Sequence, residues 1–170
     1  MAAAACLAGC KSNLNNGGEG TLSLELNYGG DYVVRQTKAA VDVADFQIKL
    51  VRNDGWTKEF PRYADMPMTF NLGSGHYTIS AVSGVAAPAA FDQPVYGGST
   101  EFDIKVGQTT PVQLTCTLTN MKVTIVPTAN FLAELSAYSV TVSNGEATLV
   151  WNTEDVANGQ KAGYFTVAPL

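Results

Sequence analysis

The residues that could do chemistry in this chain are few and widely spaced. The one histidine, His76, stands in Gly75-His76-Tyr77 beside an expected hairpin turn. One histidine leaves no room for a multi-histidine metal site or an HExxH helix. A catalytic role would need a nucleophile or a carboxylate brought to it by the fold. The plainer reading is an exposed turn histidine. Asp42 and Asp45, in Val41-Asp42-Val43-Ala44-Asp45, are close enough to suggest a carboxylate pair. They lack the Asp-x-Asp-x-Asp-Gly pattern of a calcium loop, and they read better as flanking the start of a strand at Phe46. Ser74 lies in Gly73-Ser74-Gly75, a turn and not a nucleophile elbow. The chain has no P-loop, dinucleotide fingerprint or paired CxxC motif. The expectation is a non-enzyme, with no catalytic residue, no metal site and no cofactor. Aromatic residues offer a different chemistry. Trp56, Tyr63 and Tyr96 lie in or near expected loops, and Tyr28 and Tyr32 flank Gly29-Gly30. Loop aromatics on a β-sandwich can stack on sugar rings. They can equally cap the core.

Charge narrows the partners. Fifteen acidic residues against ten basic give a formal charge of −5. Nucleic acid is therefore not an expected partner, because phosphate binding needs clustered Lys and Arg. Apolar residues make up 46% of the 170 positions, enough for a core in one ordinary domain or two small ones.

The three cysteines are Cys6, Cys10 and Cys116. The start, Met-Ala-Ala-Ala-Ala-Cys-Leu-Ala-Gly-Cys, is apolar and rich in small residues, and it stops at Lys11. It reads as the end of a secretory h-region. Leu7-Ala8-Gly9-Cys10 resembles the bacterial lipobox, in which the cysteine thiol takes a diacylglycerol and becomes the first mature residue. No Lys or Arg precedes Cys10, so the reading places the true start upstream of Met1. Removal of residues 1–9 would leave Cys116 as the one thiol without lipid. It falls in Val112-Gln113-Leu114-Thr115-Cys116-Thr117-Leu118, whose alternation puts it on an apolar face as a small core residue.

The elements around these residues are mostly strands. Residues 11–20 are Ser, Asn, Gly and Glu with one Leu, a flexible spacer. Thr21-Leu22-Ser23-Leu24-Glu25-Leu26 alternates, as does Phe46-Gln47-Ile48-Lys49-Leu50, which runs into the turn Asn53-Asp54-Gly55. Met68–Leu72 and Tyr77–Ala81 flank Gly73-Ser74-Gly75 and read as a hairpin. Glu101–Val106 and the Cys116 strand read as another. Short strands separated by Gly, Pro and Asn turns point to an antiparallel sandwich or barrel. Phe46, Ile48, Phe70, Leu72, Ile79, Phe102, Ile104, Leu114 and Cys116 form the expected inner layer.

Met121–Val126 opens a second unit. Asn130–Ala137 is the one helical stretch, with Thr128 as its N-cap. Strands follow at Ser139–Val142, Ala147–Trp151 and Tyr164–Val167, the first two joined by Asn144-Gly145. This unit is thin for an independent sandwich. Either it packs on the first, or strands are missing beyond Leu170.

Several stretches, taken in order, carry a resemblance. They are the lipobox at Cys10, Gly20-Thr21-Leu22-Ser23-Leu24, Leu72-Gly73-Ser74-Gly75-His76-Tyr77-Thr78-Ile79, Phe102-Asp103-Ile104-Lys105-Val106-Gly107-Gln108-Thr109-Thr110, Met121-Lys122-Val123-Thr124-Ile125 and Tyr138–Gly145. Their succession resembles the fimbrillin-like cell-envelope lipoproteins of Gram-negative gut anaerobes, over nearly the whole chain from Cys10. The resemblance implies an all-β fold of tandem transthyretin-like antiparallel β-sandwiches, the second incomplete, with one short helix. Its parts would be a signal-peptide remnant at 1–9, a tether at 10–20, an N-terminal sandwich at 21–119 and a partial second sandwich at 120–170. It further implies an outer-membrane location, lipid attachment at Cys10, protease processing after an arginine near the first strand, and assembly by donated strands. Arg35 is the arginine in that place. Surface members are expected to carry acidic residues just after the lipid cysteine. Here Lys11-Ser12-Asn13-Leu14-Asn15-Asn16 has none, so the side of the membrane stays open.

The leading expectation is a non-enzymatic, lipid-anchored pilus component, pilus anchor or adhesin, whose partners are the membrane and other pilin subunits. The alternative is a lipid-anchored carbohydrate-binding protein of a glycan-uptake system, taking a host or dietary glycan through Trp56, Tyr63 and Tyr96. Burial of Trp56 and Trp151 separates the two.

Overall fold

Alternate leucines at 22, 24 and 26 call for a strand with one face in a core. In the computed structural model, which describes residues 17–29, 41–157 and 161–167, they lie in β1 (Glu19–Tyr28). Leu22 and Leu26 are buried, and Leu24 packs against the same core. Cys10 and Arg35 lie outside the described residues.

β2 (Gln47–Arg52) and β3 (Thr57–Phe60) form the hairpin that Asn53-Asp54-Gly55 predicts. Gly55 sits at φ +91°, a left-handed conformation that glycine adopts without steric cost. The Gly55 N–H donates to the Arg52 carbonyl at 2.9 Å.

β4 (Phe70–Gly73) and β5 (Gly75–Val82) are separated by Ser74 alone, yet they do not form the expected hairpin. β4 pairs with β1, while β5 pairs with β2 and, further on, with β7 (Tyr96–Ile104). The chain turns a corner at Gly73-Ser74-Gly75 and crosses from one layer to the other. Gly75, at φ +154°, supplies backbone freedom at the corner. Two-residue periodicity assigned the faces correctly, but it carries no information about which strand is the neighbour.

β7 and β8 (Thr109–Leu118) follow each other through a turn with Gly107 at φ +68°, but they pair antiparallel at their far ends, Tyr96↔Leu118 and Gly97↔Thr117, and not along Glu101–Ile104 as the second expected hairpin required. The seven strands run β3-β2-β5-β7-β8-β1-β4 in one curled sheet, which folds into a β4-β1-β8 layer and a β3-β2-β5-β7 layer. Pairing is antiparallel except between β1 and β8, which run parallel from Thr21↔Thr109 to Tyr28↔Cys116. The inner faces enclose Leu22, Phe46, Ile48, Leu50, Tyr77, Ile79, Ile104, Leu114 and Cys116, with Phe70 and Phe102 packed at the margin. The expected inner layer is therefore present.

The rest forms a second, smaller core. β6 (Ala89–Phe91), β9 (Met121–Val123) and β12 (Gly163–Phe165) make a three-stranded sheet with β12 in the middle. β10 (Ser139–Ser143) and β11 (Thr148–Asn152) make a separate hairpin turned at Gly145, φ +92°. Trp151, Val156 and Phe165 are buried between them. Asn144 ties the hairpin down: its side-chain N–H groups reach the carbonyls of Pro88 and Thr166, each at 3.2 Å.

α1 (Ala129–Glu134) is capped as expected, the Phe131 N–H donating to Thr128 Oγ1 at 3.3 Å. It ends three residues short of Ala137, because Leu135 is already extended. α2 (Thr153–Ala157) was not anticipated. Asn152 and Asp155 cap it reciprocally: the Asp155 N–H donates to Asn152 Oδ1 at 2.9 Å and the Asn152 N–H to Asp155 Oδ2 at 3.1 Å. No helix among the described residues is long and apolar enough to cross a membrane.

Candidate functional site

His76 is on β5 rather than in a turn, and it is half exposed on the solvent face. Register sets it directly opposite Asp103 of β7. Its Nδ1 lies 2.9 Å from Asp103 Oδ1 and its Nε2 3.5 Å from Glu101 Oε2. The hydrogen bond to Asp103, with the two carboxylate charges, holds the imidazole above its ordinary pKa. The arrangement is a cross-strand ion pair on an open surface. Among the described residues, no three His, Cys, Asp or Glu side chains are placed to hold a metal ion.

The other candidates are engaged in the fold. Asp42 Oδ1 accepts from the Ala44 N–H at 2.9 Å and starts a 3₁₀ turn ahead of β2. Asp45 pairs instead with Arg62, 2.9 Å from its guanidinium. The two carboxylates therefore serve different partners at the start of β2. Cys116 is fully buried, 3.7 Å from the Ala81 carbonyl, and burial raises its thiol pKa.

Each aromatic candidate meets a different neighbour. Tyr63 donates its hydroxyl to the Leu24 carbonyl at 2.8 Å and packs on the first core. Tyr96 meets Tyr28 edge-on, with ring centres 5.1 Å apart. Trp56 stands edge-on to Tyr77 and remains 37% exposed, whereas Trp151 is fully buried. The structure does not bring Trp56, Tyr63 and Tyr96 into ring contact with one another, and Tyr63 and Tyr96 are half-buried.

One feature was missed from the sequence. Ile125, Val126, Pro127, Thr128, Phe131, Tyr138 and Val140 line an uncharged groove of about 270 Å³. Around it Val126, Phe131, Leu132 and Leu135 are exposed, so the apolar side of α1 faces solvent in this chain. The available signal was charge: from Val123 to Gly145 the chain carries one ionisable acid or base, Glu134, apart from Tyr138.

A family model described as a domain of unknown function (DUF4493) matches residues 18–169. The chain belongs to that family. The matched span takes in both cores and every strand described. No curated protein matches the chain in sequence. Among solved structures it is similar to a candidate cell adhesion protein from Bacteroides thetaiotaomicron, at 12% identity and a TM-score of 0.43, over 86% of this chain and 74% of that one. It is also similar to a candidate adhesin from Bacteroides ovatus, at 12% identity and a TM-score of 0.42, over 91% of this chain and 70% of that one. Both likenesses are distant.

Proposed function

We propose that this chain is a non-enzymatic adhesion or assembly protein of the cell envelope, held to the outer membrane by lipid on Cys10. One observation carries the reading: the side chains that could have done chemistry hold the sandwich together. His76 bridges β5 and β7, Asp42 and Asp45 build the start of β2, and Cys116 fills the core. What remains for function is surface, including the β10 edge and the uncharged groove beside it. Cells carrying the protein with its native leader, as wild type or Cys10→Ala, test this. Wild type should take up labelled fatty acid, be shaved from intact cells by protease, and support adherence. A Cys10→Ala protein that supported adherence equally from the membrane fraction would overturn the reading.

Processing after Arg35 belongs to the same proposal. β1 lies between β8 and β4, so its departure would open both neighbours and vacate the places of Leu22 and Leu26. A strand from another subunit would fill that slot by β-augmentation. Treatment with an arginine-specific protease should yield polymers with a new N-terminus at Gln36, lost in Arg35→Ala. A nicked monomer that keeps residues 21–28 bound would exclude the exchange.

Glycan binding survives as a second reading on Trp56, the exposed member of the aromatic set. Loss of glycan retention in Trp56→Ala, with adherence to glycan-free surfaces unchanged, would favour it.

A further inference from the structure

We propose that β10 is a self-association edge: two copies of this chain pair antiparallel through Ser139–Ser143, about a two-fold axis at Thr141. The two hairpins would then form one four-stranded sheet. The inference stands apart from lipid anchoring and adhesion, since it rests on the strand and the surface beside it.

The first argument is the sequence of the edge. Ser139-Val140-Thr141-Val142-Ser143 reads the same in both directions. Antiparallel pairing centred on Thr141 sets Thr141 against Thr141, each Val140 against a Val142, and each Ser139 against a Ser143. Thr–Thr and β-branched pairs are favourable cross-strand partners. A closed two-fold contact requires self-complementarity of this kind.

The second argument is that β10 lacks the protection that the other edges carry. Exposed strand edges are normally guarded by charge, proline or cover. β3 has Lys58 and Glu59, with Pro61 next. β9 has Lys122. β4 is four residues long and closes against β3 through Phe60 and Phe70, whose ring centres are 5.4 Å apart. β11, on the other side of the hairpin, lies against α2 and β6. β10 has no charge, proline or glycine, and among the described residues no strand pairs with its other side.

The third argument is the surface beside it. Val142 packs against the second core and Val140 lines the groove beside it, both half-buried, while Ser139, Thr141 and Ser143 are exposed. The register places Val142 of the second copy across from Val140, on the wall of the uncharged groove. Tyr138 and Phe131 extend that wall. From Leu135 to Gly145 there is no Asp, Glu, Lys or Arg, so a two-fold axis brings no such like charges together within the strand. A five-residue edge is small beside a standard protein interface, so the dimer should be weak.

The experiment is sedimentation of the 170-residue chain under reducing conditions, which keep Cys6 and Cys10 from linking copies. Wild type should dimerise with rising concentration. Thr141→Lys and Thr141→Glu each place like charges opposite one another and should weaken the dimer by about tenfold. An equimolar mixture should restore it as a Lys–Glu heterodimer. Native tryptophan fluorescence in the Trp56→Phe background, where Trp151 is the one emitter, reports that each variant is folded. Hydrogen exchange on wild type supplies an arm that needs no variant, with protection of residues 139–143 rising with concentration. A wild type that stays monomeric, variants that dimerise as wild type does, or concentration-dependent protection at β4 instead of β10 would each overturn the proposal.

Discussion

Gly163 lies so close to the Trp151 indole that a β-carbon added there would come within 2.5 Å of Cζ2 and 2.6 Å of Cη2. The middle strand of the three-stranded sheet is thus seated directly on the largest side chain of the second core. The same neighbourhood holds Trp151, its Nε1 donating to the Lys161 carbonyl at 2.7 Å and its ring meeting Phe91, the β6 partner of Gly163, edge-on at 5.0 Å. Gly163→Ala must move β12 or the indole. Overpacking of this kind costs about 1–3 kcal/mol. Thermal unfolding should show the loss, and Trp151 emission should shift red. A variant as stable as wild type would mean that β12 can withdraw freely.

Leu114 is 2% exposed and stands beside Leu26 in the parallel β1–β8 ladder. Leu114→Ala should cost about 2–5 kcal/mol, the range for a buried leucine whose surroundings relax only partly. Denaturant unfolding measures it. A cost under about 0.5 kcal/mol, typical of surface positions, would refute the register assigned to β8.

The His76–Asp103 bond gives stability a pH dependence with a definite sign. The folded imidazole titrates above its ordinary value, so the folded state binds the proton more tightly than the unfolded chain does. The contribution is full below about pH 6.5, the unfolded value. It is lost as pH rises through the folded pKa. Because His76 is the only histidine, its proton NMR titration is read without overlap. Asp103→Asn should bring the midpoint down. An unchanged midpoint in that variant would remove the carboxylate as the cause.

Asp155 supplies the opposite sign. Its hydrogen bond from Lys161, 3.0 Å away, and the Asn152 N–H hold its pKa below the usual carboxylate range. Its stabilisation is present above the unfolded carboxylate pKa and fades as pH falls through the folded one. Wild type should therefore lose more stability than Asp155→Asn between neutral and strongly acid pH. Paired acid titrations followed by circular dichroism would show the difference, and parallel curves would count against the role given to this carboxylate.

Cys116 should be inert while the chain is folded. It is fully buried and its thiol pKa is raised, so little thiolate forms at neutral pH. A maleimide should reach it only after denaturation. Labelling of Cys116 in the native protein at the rate of a free thiol would show that the β5–β8 side of the core opens.

Much of the layout was legible because it is local. Alternation placed Ile48, Ile79, Ile104, Leu114 and Cys116 on inward faces, since side chains on a strand point to opposite sides in turn. Asn53-Asp54-Gly55 and Asn144-Gly145 marked turns because glycine relieves the left-handed backbone there, and Thr128 marked the start of α1 because its hydroxyl meets a free N–H. The candidate site was less legible. His76 belongs to a pair with Asp103, 27 positions away, and no spacing rule connects them.

Partnership was the part that only the folded chain decided. Ser74 separates β4 from β5, yet they pair in different layers. β1 and β8 lie some ninety positions apart and form the one parallel ladder among the described residues, and β6 pairs with β12 across seventy. Trp56, just before β3, and Trp151, within β11, are the same residue type, but one is 37% exposed and the other is fully buried. A strand's periodicity states which face wants burial, and several neighbours could satisfy it equally. The choice among them is made by the summed burial and backbone pairing of the whole sheet, a property of all the strands together that no single stretch contains.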